Sequence, residues 1–175
     1  MYRNTIDALQ YLTLTRPDIS FSVNTLSQFL KALTQHHWSA CKRLLLYVSG
    51  THTLGLSLRP TARFTLEGFS DADWACNIDD KRSTTGYCVF LGGNLVTWSS
   101  RKQQVVTRSN IESEYRALAS VIIELIWIKS LLDELQLPLQ YHLIAWCDNL
   151  GAHALSHNPV YYSRTKHIKV DVHFI

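Results

Sequence analysis

Three acidic residues lie at the ends of predicted secondary-structure elements, where side chains from different elements can meet. Asp71 ends a short strand, Glu114 lies in the first turns of a long helix, and Asp148 follows the apolar run LIAWC. Phosphodiester hydrolysis by two divalent cations needs such carboxylates, because hard cations prefer oxygen ligands and both must lie about 4 Å apart. If the strands of Asp71 and Asp148 are neighbours, the helix can bring Glu114 to them.

Taken singly, each acid also has a structural explanation that involves no metal. Asp148 precedes a predicted helix and could be its N-cap, while Glu114 could be a first-turn acid that interacts with the helix dipole. Asp71 could be a turn residue at the end of its strand. Only the elements around these residues can distinguish a metal site from these structural roles.

The segments from residue 61 onward predict an α/β domain with one mixed sheet. Three β-branched, aromatic-rich segments predict consecutive antiparallel strands: RFTLEGFSDADW, TTGYCVFLGG and NLVTWSSRKQ, with Gly92, Gly93 and Asn94 in the last turn. A helix is predicted from Ser109 to about Leu135. Its apolar side would carry Tyr115, Leu118, Ala119, Ile122, Ile126 and Leu132. LIAWCD then predicts a short buried strand, and DNLGAHALSHN a short helix.

Residues 1 to about 60 have a different, helical periodicity. One helix is predicted to start at a capping Thr15, with Pro17 and Asp18 in its first turn. Its apolar positions are Ile19, Val23, Leu26, Leu30 and Leu33. A second helix is predicted in TQHHWSACKRLLLYVSG, with Gly50 as its stop. Its shared face would consist of Trp38, Cys41, Leu45 and Val48.

Composition narrows the class of protein but does not assign a partner. The 175 residues are 46% hydrophobic, with a formal net charge of +3, which suits a polyanionic partner without establishing one. No apolar run is long enough to cross a bilayer, and the first residues lack a secretion signal, so we expect an intracellular protein. The four cysteines are widely spaced and are predicted to be reduced packing residues.

Several motifs together carry a family resemblance. SDADWA, DDKRSTTGYCVFLGGNLVTWSSRKQ, ESEYRALA, WCDN, NPV and RTKHI occur in this order. Over residues 64 to 175 they resemble the ribonuclease H domain of Ty1/copia-type retrotransposon Pol polyproteins. ALQYLTLTRPDISFSVNTLSQF and the HW…KRLLLYVSGT stretch resemble the region between the polymerase palm and that domain.

The resemblance implies a domain organisation and an activity. Residues 1–60 are expected to be a helical thumb or connection remnant of a reverse transcriptase, and residues 61–175 a ribonuclease H-like domain with a mixed sheet flanked by helices. The Tyr-x-Asp-Asp pattern of a polymerase site is absent from the sequence. The end at Ile175 would fall within the last helix of such a domain, so a C-terminally truncated piece of a longer chain is expected.

The resemblance also implies which residues hold the metal. Asp71, Glu114 and Asp148 match the metal-binding acids of the family, with two Mg²⁺ ions as the expected cofactor and Mn²⁺ as a possible substitute. Glu114 is preferred over Glu112 because the family's glutamate is followed by an apolar residue and, two positions later, by a small one. The neighbouring Asp73 and Glu112 are expected to face solvent, although they could also tune the field of the site.

The tail departs from the family pattern. Lys169 follows RTKHI where relatives carry Asp or Glu, and a protonated lysine opposes cation binding. Asp171 is an imperfect replacement, because two positions along a helix correspond to about 200° around it. His173 is a further candidate, as a proton carrier.

The expected substrate is an RNA/DNA hybrid, and the rest of the Pol polyprotein is the expected partner. Five basic residues are expected to line the path of the phosphates: Arg101, Lys102, Arg108, Arg164 and Lys166. The alternatives are a decayed retroelement fragment that binds nucleic acid without cutting it and an integrase-like nuclease of the same fold. A cytoplasmic particle or the nucleus is the expected location.

Overall fold

The computed structural model describes residues 1–139 and 141–157. The chain divides into two compact units, Met1–Ser57 and Leu58–Ile175, and each is described by itself. The described part of the first unit is helical, and that of the second combines a sheet with helices. Among the described residues, no helix has the length and apolar character needed to cross a membrane.

The first unit consists of three helices and one 3-10 turn. Helix α1 spans Tyr2–Leu12, α2 spans Ser20–Ser27 and α3 spans Gln35–Gly50, and the turn spans Pro17–Ile19. Their apolar faces form one core that includes Tyr2, Ile6, Leu9, Ile19, Val23, Leu26, Cys41 and Leu44. Burial of these side chains is the main stabilising contribution to the unit.

The prediction of one helix from Thr15 to Leu33 is wrong in its bounds. Arg16 has a non-helical backbone, with φ of −127° and ψ of 78°, because the residue before a proline avoids the helical region, so the helical turn starts later. Helix α2 ends at Ser27, and Leu33 is exposed in the connection that leads to the cap of α3. Thr34 provides that cap, since its hydroxyl accepts the His37 N–H.

The predicted apolar face of α3 also needs one correction. Leu44 is buried whereas Leu45 is 39% exposed. Both residues lie within about 60° of Cys41 around the helix, so periodicity alone cannot distinguish them. The packing of α3 in its own unit decides which side chain is covered.

Arg16 is the buried charge of the helical unit, and it is neutralised by a complete set of partners. Its Nε and Nη2 atoms donate to the two Asp18 carboxylate oxygens at 2.9 and 2.8 Å. Its Nη1 atom donates to the Thr51 carbonyl at 2.9 Å, and the Tyr47 hydroxyl donates to Asp18. The Arg16 guanidinium lowers the pKa of Asp18 through these hydrogen bonds. The network joins the start of the 3-10 turn to the end of α3.

The second unit contains a four-stranded mixed sheet, as predicted. Strand β1 spans Leu66–Asp73, β2 spans Thr84–Leu91, β3 spans Asn94–Lys102 and β4 spans Ile144–Cys147. The order is β3-β2-β1-β4, with β1 antiparallel to β2 and parallel to β4. The β2–β3 turn has Gly92 and Gly93 at φ of 55° and 78°, a backbone that favours glycine. This architecture is compatible with a ribonuclease H-like fold.

Helix α4, Asn110–Glu134, packs against β1. Gly68 permits this approach, because a Cβ atom there would lie 2.6 Å from Cγ2 of Val121. The core beneath the helix contains Leu66, Val89, Leu118, Val121, Leu125, Ile128 and Leu132. The prediction that Ile126 belongs to the core is wrong, since its side chain is 46% exposed. The neighbouring Leu125 turns toward the sheet instead.

Strand β4 and helix α5, Leu150–His157, occur where they were predicted. The prediction that the β4 strand is buried is wrong, however, because Ile144 and Trp146 are 41% and 51% exposed. In the described residues β4 is the last strand of the sheet, and its alternate side chains lie on the face away from α4.

Candidate metal centre

The pairing of β1 with β4 brings the two strand-end aspartates together. Ser70 pairs with Cys147 in the parallel register, and Asp71 and Asp148 are the residues that follow this pair. The predicted adjacency of the two strands is therefore confirmed. Asp71 lies inside β1, opposite Gly86 of β2, so it is not a turn residue. Both aspartates are exposed at this end of the sheet.

Asp148 is not the N-cap of α5. The Asn149 side chain accepts the Ala152 N–H at 3.0 Å, which makes Asn149 the capping residue. Among the simpler explanations for the three acids, two thus fail on geometry. The Asp148 carboxylate is left at the strand end beside Glu114.

The two glutamates at the start of α4 have different surroundings. Glu112 is buried, contrary to the prediction that it faces solvent, and accepts hydrogen bonds from the Arg108 N–H and the Arg116 guanidinium. Its own N–H donates to Ser109, which caps the helix. Glu112 therefore fixes the first turn of the helix. Asp73 is exposed, as expected.

Glu114 is only 5% exposed, and its Oε2 atom has no hydrogen-bond partner among the described residues. Burial raises the pKa of this carboxyl to about 7, and the charges of Asp71 and Asp148 contribute to the rise. A hydrogen bond with the Ala72 main chain acts in the opposite direction. The fold therefore holds a buried acid beside two further carboxylates without compensating it fully.

This arrangement fits a hard divalent cation. A buried carboxylate oxygen without a partner is unfavourable by itself, and a cation would provide the missing interaction. The three side chains come from two strands and a helix, so the backbone determines their separation. Asp71, Glu114 and Asp148 carry oxygen donors, which Mg²⁺ and Mn²⁺ prefer. The Asp71 carboxylate stands outside the group of ligand atoms that lie within 4.8 Å of one another.

A fourth side chain at this position was not predicted from the sequence. The ligand atoms of Glu114, Cys147 and Asp148 all lie within 4.8 Å of one another. Burial raises the pKa of the Cys147 thiol, and the charges of Glu114 and Asp148 raise it further. The signal in the sequence was the adjacency of Cys147 to Asp148, but a single cysteine without a close partner carries little information.

Curated relatives identify the origin of this sequence. The chain is 49% identical over 174 residues to the retrovirus-related Pol polyprotein from transposon RE2 of Arabidopsis thaliana, a match that covers 99% of the chain. It is 38% identical to the corresponding polyprotein from transposon TNT 1-94 of Nicotiana tabacum, again over 99% of the chain. The chain belongs to the copia-type, retrovirus-related Pol polyproteins of transposons.

The match concerns a small part of those Pol polyproteins. The chain spans 12% of the RE2 protein and 13% of the TNT 1-94 protein. It is also 41% identical over 128 residues to the secreted RxLR effector protein 161 of Plasmopara viticola, which covers 73% of the chain and 90% of that protein. No family profile and no solved structure matches the chain.

The described basic residues of this Pol polyprotein segment have unequal surroundings. Arg101 and Arg108 are exposed, while Lys102 forms an ion pair of 2.7 Å with Asp80. Arg101 and Lys102 also line an open cavity of about 460 Å³ together with Gln103 and Arg116. Five residues singled out in the tail lie outside the described part of the chain: Arg164, Lys166, Lys169, Asp171 and His173.

Two exposed aromatic side chains near Asp71 and Asp148 were also not predicted from the sequence. Phe69 and Trp146 are register partners on β1 and β4, and their rings stack with centroids 6.3 Å apart. They are 43% and 51% exposed and precede Asp71 and Asp148 by two residues. The alternation of β1 could have suggested an outward Phe69, whereas the apolar run LIAWC indicated burial for Trp146.

Proposed function

We propose that the chain is the ribonuclease H-type endonuclease part of a copia-type Pol polyprotein and hydrolyses the RNA strand of RNA/DNA hybrids. One observation carries the proposal: a buried Glu114 oxygen, which has no partner among the described residues, lies beside Asp71 and Asp148, at the end of two parallel strands. Carboxylates that converge from separate elements are what metal-assisted phosphodiester hydrolysis requires.

In this proposal the chain's own residues form the cation site. Asp71, Glu114 and Asp148 would hold two Mg²⁺ ions, which supply activation of water and stabilisation of the leaving 3′-oxygen when bound. Glu114 is held in place because Glu112 and Ser109 fix the first turn of α4. Gly68 allows the helix close enough to β1 for Glu114 to reach the strand ends.

The proposed contacts with the nucleic acid are inferred from exposed positive charges and from the family of the chain. Arg101 and Arg108 are exposed cations of the same unit and could contact phosphates. Because the relatives are much longer Pol polyproteins, we propose that the rest of such a polyprotein supplies most of the hybrid-binding surface. We further propose an intracellular site of action, in a cytoplasmic particle or in the nucleus.

The decisive test is Mg²⁺-dependent cleavage of a labelled RNA strand in an RNA/DNA hybrid, with matched double-stranded DNA as the second substrate. We expect cleavage of the hybrid alone. Asp71→Asn should reduce the rate by about 10³-fold or more, because it removes a charged ligand while it preserves the side-chain shape. Asp79→Asn is the matched control, because Asp79 lies in an exposed loop, and it should keep the wild-type rate.

Three outcomes would contradict the proposal in different ways. Hybrid binding without cleavage would favour the decayed fragment, with Lys169 as the suspected cause. Preferential cleavage of DNA ends would favour the integrase-like alternative. Unchanged cleavage by Asp71→Asn would remove Asp71 from the site.

A further inference from the structure

Cys147 lies among the proposed metal ligands, although a thiol is a poor ligand for Mg²⁺. Its Sγ atom and carboxylate oxygens of Glu114 and Asp148 are all within 4.8 Å of one another. The second observation at this position is the buried Glu114 Oε2 atom, which lacks a hydrogen-bond partner among the described residues. The mixed donor set differs from an all-oxygen site, which hard cations prefer.

We infer that Glu114, Cys147 and Asp148 form a binding site for a thiophilic divalent cation, Zn²⁺ or Cd²⁺, whose occupancy excludes Mg²⁺. The binding part of this inference stands on the three side chains alone. The inhibitory part rests on the proposed function, because it requires that Glu114 and Asp148 serve the Mg²⁺-dependent reaction.

The geometry suits such a cation after small side-chain rotations. In a tetrahedral zinc site with metal–sulfur bonds of about 2.3 Å and metal–oxygen bonds of about 2.0 Å, ligand atoms lie roughly 3.3 to 3.6 Å apart. The observed limit of 4.8 Å is roughly 1.2 to 1.5 Å larger than these separations. Asp148 follows the last residue of β4 and is exposed, so its side chain has room to rotate. Water or Asp71 could complete the coordination.

Binding to the thiol has a defined chemical balance. The metal–sulfur bond forms as the Cys147 S–H bond breaks, and the proton passes to solvent without any change of oxidation state. A thiolate ligand increases affinity for Zn²⁺ and Cd²⁺ but contributes little for Mg²⁺. A small concentration of a thiophilic cation should therefore compete with a much larger concentration of Mg²⁺ for the two shared carboxylates.

The experiment is a titration of the full chain with Cd²⁺ while the ultraviolet sulfur-to-cadmium charge-transfer absorption is recorded. A phosphine reductant is used because thiol reductants bind Cd²⁺ themselves. We expect a saturable band that is lost in Cys147→Ser. In Glu114→Gln the affinity for Cd²⁺ should fall by roughly tenfold or more. Cys88→Ser is the matched control, since Cys88 is also a half-buried strand cysteine of this unit, and it should keep the band.

The same proteins are then assayed for hybrid cleavage at fixed Mg²⁺ with increasing Cd²⁺ or Zn²⁺, each relative to its own rate with Mg²⁺ alone. Inhibition that requires Cys147 and is reversed by excess Mg²⁺ or a chelator supports the inference. A band that persists in Cys147→Ser, disappears in Cys88→Ser or is absent from the wild type overturns it.

If the wild type cuts no hybrid, the proposed function fails, and the absorption titration still decides whether the cation site exists. Circular dichroism verifies that the variants are folded, and Glu114→Gln and Asp148→Asn provide independent tests if Cys147→Ser is not.

Discussion

The two units differ in the hydrogen-bond partners that they provide for a buried charge. In the helical unit, Arg16 donates four hydrogen bonds, to Asp18 and to Thr51. In the mixed-sheet unit, Glu114 is buried beside two further acids, and one of its oxygens has no partner among the described residues. A buried charge whose hydrogen bonds are all satisfied stabilises a fold. A buried charge that lacks such partners lowers stability and favours binding of a ligand that supplies the missing interaction. The comparison therefore separates a structural charge from a functional one.

The same contrast occurs within the first turns of α4. Glu112 and Glu114 are two residues apart and both are buried, but only Glu112 accepts hydrogen bonds from Arg108 and Arg116. It also occurs at the end of β4, where Asn149 caps α5 and Asp148 does not. In each pair the residue whose side chain is hydrogen-bonded at the start of the helix is structural, and its neighbour is available to a cation.

The largest stability effect is expected at Arg16. Arg16→Met should lower the free energy of unfolding of the helical unit by about 3 kcal/mol, because Asp18 and the Thr51 carbonyl lose their partner. Hydrogen exchange measured on peptides from residues 1–57 would report the change. Arg3→Met, at an exposed position of α1, is the control and should change little. An equally small effect at Arg16 would refute the assignment of a structural charge.

Replacement of Glu114 is expected to have a smaller effect on stability, and of opposite sign, than replacement of Arg16. Because the pKa of Glu114 in the folded chain is about 7 and thus above its ordinary value of 4.5, the folded state binds more protons between these pH values. Without metal, stability should fall as the pH rises from about 4.5 to about 7 and remain lower above it. Glu114→Gln should remove this fall and add about 1 to 2 kcal/mol at pH 8.

Urea denaturation at pH 5 and pH 8, with and without Mg²⁺, measures this dependence. Mg²⁺ should stabilise the wild type at pH 8 and have little effect on Glu114→Gln. Glu112→Gln is the matched variant and should be destabilised by about 1 kcal/mol, because it weakens the hydrogen bonds of the first helical turn. If Glu114→Gln lost stability like Glu112→Gln, the contrast within α4 would be wrong.

The smallest effect concerns the end of β4. Asn149→Ala should destabilise the chain by about 1 kcal/mol through loss of the α5 cap. Asp148→Asn should change stability by less than about 0.5 kcal/mol, since it removes a charge near Glu114 and no capping bond. Thermal unfolding without metal compares the two variants, and a larger loss for Asp148→Asn would show that Asp148 supports the fold.

Much of the architecture could be predicted from the sequence because the relevant signals are local. The order of three strands, helix, strand and helix follows from periodicity and turn residues, and the Gly92–Gly93 turn lies where its glycines indicated. The position of Asp71 near the end of one strand and of Asp148 directly after another was also visible in the sequence. Their proximity required the further assumption that β1 and β4 are neighbours, which the register confirms.

The tertiary structure decided which side chains are buried and which have partners. Whether Leu44 or Leu45 is covered depends on neighbouring packing, as does the burial of Glu112. Cys147 became a candidate ligand only when β4 paired with β1 and α4 brought Glu114 beside it. The sequence by itself determined the elements and the kinds of donor at their ends, because propensity and periodicity act over a few residues. Contacts between distant residues depend on the packing of whole elements, so only the folded chain determined the composition of the candidate site.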